Sequence, residues 1–370
     1  MTDAPKPSDP ASAVEPRGST RRFLFGFVMG LLLLGASVTT LNVVADPYGY
    51  AGSGIFATAI LSDRPIKACL IERLPRAPSL MIFGSSRAEK IEPSHLQQRT
   101  GLVGFNAAVS SAGPDDAWAF ANLLHQKAAG AQQRVLWMLD VESLRARPID
   151  PGLLDTPSLD RFVRQSSALH GRVQSLWSFV SWHTALDSWK SVDATLFGNA
   201  QPLSRRTCSI HTNGVTEYAP DGYRSFDFHD VAVRRGLSLA RTIGITLSEY
   251  RTIYQGDTRL SPTAERRFEQ TISTMNSWNI RPVIVLTPVH PKFARVIGPL
   301  GWTLRHRQLV TYLHSLMPRL SFDLLDASNI KTFGGTSRGF YDGVHMKVTN
   351  VRRLLDWVVS KARRDLRPGG

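Results

Sequence analysis

Between Phe23 and Ala45 the chain carries no ionisable side chain, and the run Phe23-Leu24-Phe25-Gly26-Phe27-Val28-Met29-Gly30-Leu31-Leu32-Leu33-Leu34 is strongly apolar. Roughly twenty such residues cross a bilayer as a helix, because a helix satisfies every backbone polar group internally. Arg17, Arg21 and Arg22 precede the stretch and Asp46 follows it. By the positive-inside rule this predicts a single-pass anchor in the inner (cytoplasmic) membrane, with the N-terminus cytoplasmic and the main domain extracytoplasmic, or periplasmic. Two other readings use the same residues: Val43-Val44-Ala45 as a cleavage site, making the segment a signal peptide, and Thr20-Arg21-Arg22-Phe23-Leu24 as a twin-arginine signal. The length of the stretch favours the anchor over both. Residues 1–22, rich in Pro, Ser, Ala and Asp at their start, read as a disordered tail. Residues 46–79 form a juxtamembrane flank in which Tyr48 and Tyr50 suit the membrane interface, and Ile55 to Pro78 reads as mostly irregular.

Beyond the flank the pattern alternates as βαβ units do. Apolar runs at Leu80–Phe83, Val103–Ala107, Arg134–Leu139, Pro282–Thr287 and Ser321–Leu325 predict strands. Helices are predicted near Pro93–Gln98, from Pro114 to about Ala129 with Gly130 as its stop, from Ser261-Pro262 to about Trp278, over Leu300–Leu316, and from about Thr349 to Leu366. Near-continuous apolar strands between helices predict a three-layer α/β/α domain around a mostly parallel sheet of about five strands. That domain comprises residues 80–143 and 258–370, interrupted by a largely helical insertion at 144–257. Within the insertion, Trp177, Trp182 and Trp189 lie near Phe179, Leu186 and Val192 at mixed helical spacing, which predicts packing, with a sugar platform as the alternative. Cys208 to Asp230 reads as a loop, and Phe228 to Tyr250 as a helix. Walling the active-site edge and setting specificity is the expected role of the insertion.

Two stretches carry the chemistry. The first apolar run stops at Gly84-Ser85-Ser86, after which Arg87-Ala88-Glu89-Lys90 starts a new element. A glycine at such a corner turns the backbone sharply and lifts the next side chain to the C-terminal edge of the sheet, where ligands bind in open α/β folds. A serine there suits a nucleophile whose own amide faces an oxyanion; an ordinary helix cap is the alternative. Far downstream, Tyr341-Asp342-Gly343-Val344-His345-Met346 follows a Gly-rich loop and precedes the last helix. Asp and His so presented can orient an imidazole with a carboxylate, the second half of a Ser-His-Asp relay; a surface turn with a solvated histidine is the alternative.

A strand ending in Gly-Ser-Ser, with Asp-x-x-His before the closing helix, resembles the SGNH/GDSL hydrolase-like superfamily. The likeness runs from about Leu80 to the C-terminus. It implies Ser86 as nucleophile, His345 as base and Asp342 as the carboxylate that orients it. The Gly-Ser-Ser form behind a membrane anchor is similar to extracytoplasmic acyl-transfer proteins of teichoic acid D-alanylation and alginate-type O-acetylation. The chain departs from the pattern twice. Ser110 and Ser111 follow the second strand, with Gly113 only after them, where such hydrolases place an oxyanion glycine. Leu139-Asp140-Val141-Glu142 follows the third strand, where they have Gly-x-Asn-Asp. Asn106 and Gly113 are the substitute oxyanion candidates. Ser85 shares the corner with Ser86. Arg87 either grips an anionic substrate group or pairs with Glu89 or Asp140. Asp140 binds a hydroxyl or orients Arg87, and His290, at the end of the fourth strand, is a substrate-binding candidate or is held by a backbone carbonyl.

The formal charge of +14 is dispersed along the chain. No nucleic-acid-binding signature accompanies it, so anionic envelope polymers or lipid head groups are the expected contacts. Cys69 and Cys208 are the only cysteines; outside the cytoplasm they can pair, a question the sequence leaves open. Neither has metal-site spacing, and neither metal nor cofactor is implied. The resemblance implies a serine acyl-ester transferase or esterase acting on an acylated envelope polysaccharide or similar polymer, with a multi-spanning membrane acyltransferase as a candidate partner. The alternative is a non-catalytic envelope protein of the same fold that binds polysaccharide or partner proteins.

Overall fold

The computed structural model describes residues 17–47, 53, 55–56, 63–154, 156–163, 180, 182–197, 208, 211–212, 215–225, 230, 236–254, 259–362 and 366. In chain order the elements are α1 (Arg17–Ala45), α2 (Asp63–Arg73), β1 (Leu80–Phe83), α3 (Pro93–Thr100), β2 (Gly104–Asn106), α4 (Pro114–Ala128) and β3 (Arg134–Leu139). Next come α5 (Pro151–Leu154), α6 (Pro157–Val163), α7 (Trp182–Leu196), the two-residue strands β4 (His211–Thr212) and β5 (Val215–Thr216), and α8 (Leu239–Tyr254). The chain then forms α9 (Pro262–Ser277), β6 (Val283–Leu286), α10 (Pro291–Ile297), α11 (Trp302–Leu316), β7 (Asp323–Asp326) and α12 (Val348–Lys361).

The main sheet has the order β2-β1-β3-β6-β7, and every pairing in it is parallel. Alternation along each strand sends side chains to opposite faces. Met81, Phe83, Val135, Trp137, Leu139, Ile284 and Leu286 meet α2, α4, α9 and α11 through Ile71, Phe120, Phe268 and Leu309. Leu80, Ile82, Leu136, Met138, Val283 and Val285 meet α3 and α12 through Leu96, Val351, Leu354 and Val358. Each such apolar side chain contributes about 1.5–3 kcal/mol on burial. Helices on both faces make the three-layer architecture that the strand pattern predicts.

Several local expectations need correcting. The flank holds a helix, α2, which packs on the sheet through Ile66, Leu70 and Ile71; its Asp63, Arg64 and Lys67 are buried too, and these charged residues break up the apolar pattern. Arg64 Nε donates to Asp116 at 2.6 Å. The N-terminal helix begins at Arg17, so Arg17 to Arg22 are helical, while residues 1–16 and the juxtamembrane Tyr48 and Tyr50 lie outside the described residues. The helix after β2 is capped by Ala129 in the left-handed region (φ 46°), one residue before the expected Gly130. A short helix, α10, starts at Pro291 with His290 as its cap, and the described residues between Cys208 and Asp230 include the antiparallel β4–β5 pair. The later insertion helix covers Leu239–Tyr254; of the earlier part of the expected stretch, residues 228–229 and 231–235 lie outside the described residues. Trp177 and Phe179 lie outside the described residues, as does the side chain of Trp182. Packing was the expectation for the others, yet Trp189 and Leu186 are exposed.

Cys69 and Cys208 form a disulfide, tying α2 to the insertion. α1, from Thr20 to Ala45, is long and apolar enough to cross a membrane.

Candidate functional site

Four loops converge at the C-terminal edge of the sheet, after β1, β3, β6 and β7. The first is the Gly-Ser-Ser corner. Gly84 has φ 154°, and a Cβ there would stand 2.7 Å from Ala88 Cβ and 3.0 Å from Met138 Cβ. Only glycine takes this backbone at this closeness. The chain then coils tightly, with Ala88 N–H donating to the Ser85 carbonyl at 2.8 Å. Asn106, at the end of β2, braces the coil: its Nδ2 donates to the carbonyls of Ala88 (2.9 Å), Glu89 (3.3 Å) and Ile91 (2.9 Å), and its Oδ1 accepts from Ala108 N–H.

This corner meets the Asp-x-x-His loop. Ser86 Oγ lies 2.9 Å from His345 Nε2, and His345 Nδ1 lies 2.8 Å from Asp342 Oδ2. The other oxygen of Asp342 accepts the backbone N–H of Val344 and of His345, each at 2.8 Å. A carboxylate held by two amides is fixed in rotamer, and it fixes the ring. With Nδ1–H donating to Asp342, Nε2 is the acceptor that faces the Ser86 hydroxyl. The loop is itself clamped, since His290 N–H donates to the Gly343 carbonyl at 2.9 Å. A Cβ on Gly343 would come within 2.5 Å of Phe293.

The remaining predicted residues divide between cleft and support. Ser85, Ser86, Arg87 and Asp140 line one cleft of about 80 Å³, together with Arg145 and Tyr250. Ser85 faces its own turn, its Oγ accepting Arg87 N–H at 3.2 Å, while Ser86 reaches the imidazole. Arg87 does not pair with Glu89. Its guanidinium donates to Glu142 (3.0 Å), to the Tyr250 hydroxyl (2.7 Å) and to Thr287 Oγ1 (3.1 Å), with Asp140 at 3.7 Å. Asp140 accepts from Thr287 at 2.7 Å, so it orients the arginine's surroundings. Asn106 is spent on the coil. The Gly113 amide donates to Asp116 Oδ2 at 2.8 Å as the cap of α4. His290 caps α10, its Nδ1 accepting Lys292 N–H at 3.0 Å; burial, with Lys292 nearby, lowers its pKa. Its ring also packs edge-on against Phe340.

Behind the corner lies a buried charged cluster that the sequence does not announce. Glu89 accepts from Arg224 at 2.8 Å and from Ser110 Oγ at 3.0 Å. Lys67 Nζ donates to the Asn106 carbonyl at 2.7 Å and to that of Gly222. Burial pushes the Glu89 carboxyl well above the usual carboxylate range and the Lys67 ammonium below its own. Burial would also raise Asp63, but Arg224 and the hydroxyl of Tyr218 outweigh it and hold that carboxyl down at about 2. The sequence likewise does not announce Glu142 and Tyr250 as partners of Arg87. Tyr250 comes from α8, so its place beside Arg87 is a tertiary fact with no local signature.

Among the described residues, no group of three or more His, Cys, Asp or Glu is placed to hold a metal ion. No protein-family model matches the chain, and no curated protein matches it.

Proposed function

We propose that this protein is an extracytoplasmic serine acyl-ester transferase or esterase of SGNH type, acting on an acylated envelope polysaccharide or similar polymer. The observation that carries the reading is the unbroken hydrogen-bonded line from Ser86 Oγ through His345 to Asp342. Ser86 attacks the acyl carbonyl while His345 Nε2 takes its proton, and Asp342 holds the imidazole tautomer and stabilises the imidazolium. The Ser86 amide is the oxyanion donor the corner offers. Collapse of the tetrahedral adduct expels the alcohol oxygen, which receives the proton from His345. Water or an acceptor hydroxyl, deprotonated in turn by His345, then attacks the acyl-Ser86 ester, and collapse of that adduct expels Ser86 Oγ, which takes the proton back from His345. The narrow cleft beside Ser86 suits a short acyl group such as acetyl. The disulfide, which persists in oxidising compartments, and the membrane-length α1 support an anchored, extracytoplasmic position. A multi-spanning acyltransferase is a candidate donor partner.

A second reading has its own observation. The amides of Asn106 and Gly113 are both engaged, which favours a binding protein that retains the fold without turnover. Labelling with a fluorophosphonate separates the two. Wild type and Ser85→Ala are expected to gain one adduct by intact mass, and Ser86→Ala none. An unlabelled wild type, or labelling that survives Ser86→Ala, would overturn the enzyme reading.

A further inference from the structure

The helix α7 is built inside out. Among the described residues its buried side chains are Thr184, Asp187, Ser188 and Ser191 with only the small Ala185 beside them, whereas Leu186 (50 % exposed), Trp189 (64 %), Leu196 (62 %) and, one residue past its end, Phe197 (79 %) face outward. These four lie at i, i+3, i+10 and i+11, one stripe of a helix, with Lys190 and Asp193 also exposed among them. In water such a helix would bury its hydroxyls and show its apolar face, so the stripe requires an apolar neighbour.

What α7 packs against identifies the neighbour. It packs against α1, and Ser188 Oγ donates to Asn42 Oδ1 at 2.8 Å, with both residues fully buried. Roughly twenty residues of helix cross the hydrocarbon, so a span that starts at Phe23 ends at about Asn42. The Asn42–Ser188 bond therefore marks the outer edge of the hydrocarbon, and α7 sits at head-group level. There Trp, Leu and Phe enter the acyl boundary while Lys190 and Asp193 meet the head groups. The apolar side chains of α1 from Phe23 to Val44 are likewise broadly exposed.

We infer that α7 is a second membrane contact, lying in the interface of the leaflet next to the α/β domain and inserting Leu186, Trp189, Leu196 and Phe197 among the lipids. The inference rests on α1 crossing the bilayer and is independent of any catalysis at Ser86.

The test uses the full chain in vesicles of phosphatidylethanolamine and phosphatidylglycerol. With Cys69 and Cys208 joined, a cysteine introduced by Trp189→Cys or, separately, Leu196→Cys is the single thiol available to an environment-sensitive fluorophore. Met29→Cys in α1 and the exposed Ser315→Cys on α11 are the references. Labels at 189 and 196 are expected to shift to the blue and to be quenched by lipids bearing a nitroxide near the head group. The label at 29 should be quenched by deeper nitroxides, and the label at 315 by neither. Quenching at 29 with water-like emission at 189 and 196 would overturn the inference alone. A blue shift at 189 and 196 without quenching by lipid would assign the face to a protein, a second copy or another chain, and also overturn it. Loss of quenching at 29 would remove the spanning helix and this contact with it.

Discussion

Ser86 Oγ and His345 Nε2 stand 2.9 Å apart although 259 positions separate them in the chain. Their alignment depends on Asp342, whose Oδ2 faces His345 Nδ1 at 2.8 Å. In Asp342→Asn an amide group can donate where a carboxylate accepts, which favours the tautomer with its proton on Nε2. Turnover of an activated short-chain ester is expected to fall by about two to four orders of magnitude, with KM little changed. Steady-state kinetics checks this; an unchanged kcat would mean that Asp342 does not act through the ring.

Gly84 makes the corner possible. In Gly84→Ala the added methyl meets Ala88 Cβ at 2.7 Å, at a φ of 154°. Strain and overpacking together are expected to cost about 2–5 kcal/mol. A lowered thermal midpoint accompanied by loss of fluorophosphonate labelling would show both consequences. A midpoint equal to wild type would mean that the corner has another backbone solution.

The Cys69–Cys208 disulfide closes a long loop of chain, and such bridges contribute about 2–4 kcal/mol, mainly by restricting the unfolded state. Thermal unfolding with and without reductant should show a loss of this size in wild type and none in Cys69→Ser. Equal sensitivity of the two proteins to reductant would place the effect elsewhere.

Asp63 gives the pH dependence a direction. Its carboxyl is held at about 2 in the fold, against an ordinary value of 3.8, so the folded state favours the charged form. That stabilisation is fully present above about pH 4 and is lost as the pH falls toward 2, on the order of 2 kcal/mol. Asp63→Asn should lower stability at neutral pH and flatten the decline between pH 4 and 2. Parallel acid-unfolding curves for variant and wild type would contradict the assignment.

The strands and the Ser86, His345 and Asp342 triplet were legible because each is written locally. Buried parallel strands are continuous apolar runs, a glycine marks a sharp corner, and Asp342 and His345 are three residues apart. What was not legible is held by partners distant in sequence. α2 looks irregular because Asp63, Arg64 and Lys67 are buried against Arg224, Asp116 and backbone carbonyls. Asn106 reads as a candidate oxyanion donor until its three carbonyl partners are seen, and Arg87 acquires Glu142 and Tyr250 only through tertiary packing. The stripe on α7 misleads for the opposite reason. Aromatic residues at helical spacing predict a core, and nothing in the spacing says which face turns outward.

The insertion between β3 and β6 also bears on how the molecule is made. These two strands are hydrogen-bonded neighbours, yet the whole chain from Leu139 to Val283 must be synthesised between them. At about 5–20 residues per second that interval is on the order of ten seconds. Throughout it, Arg134–Leu139, six residues buried in the finished sheet, stands as an open edge able to pair with any other chain. The edge of β3 that β6 covers therefore cannot close until the insertion has been made.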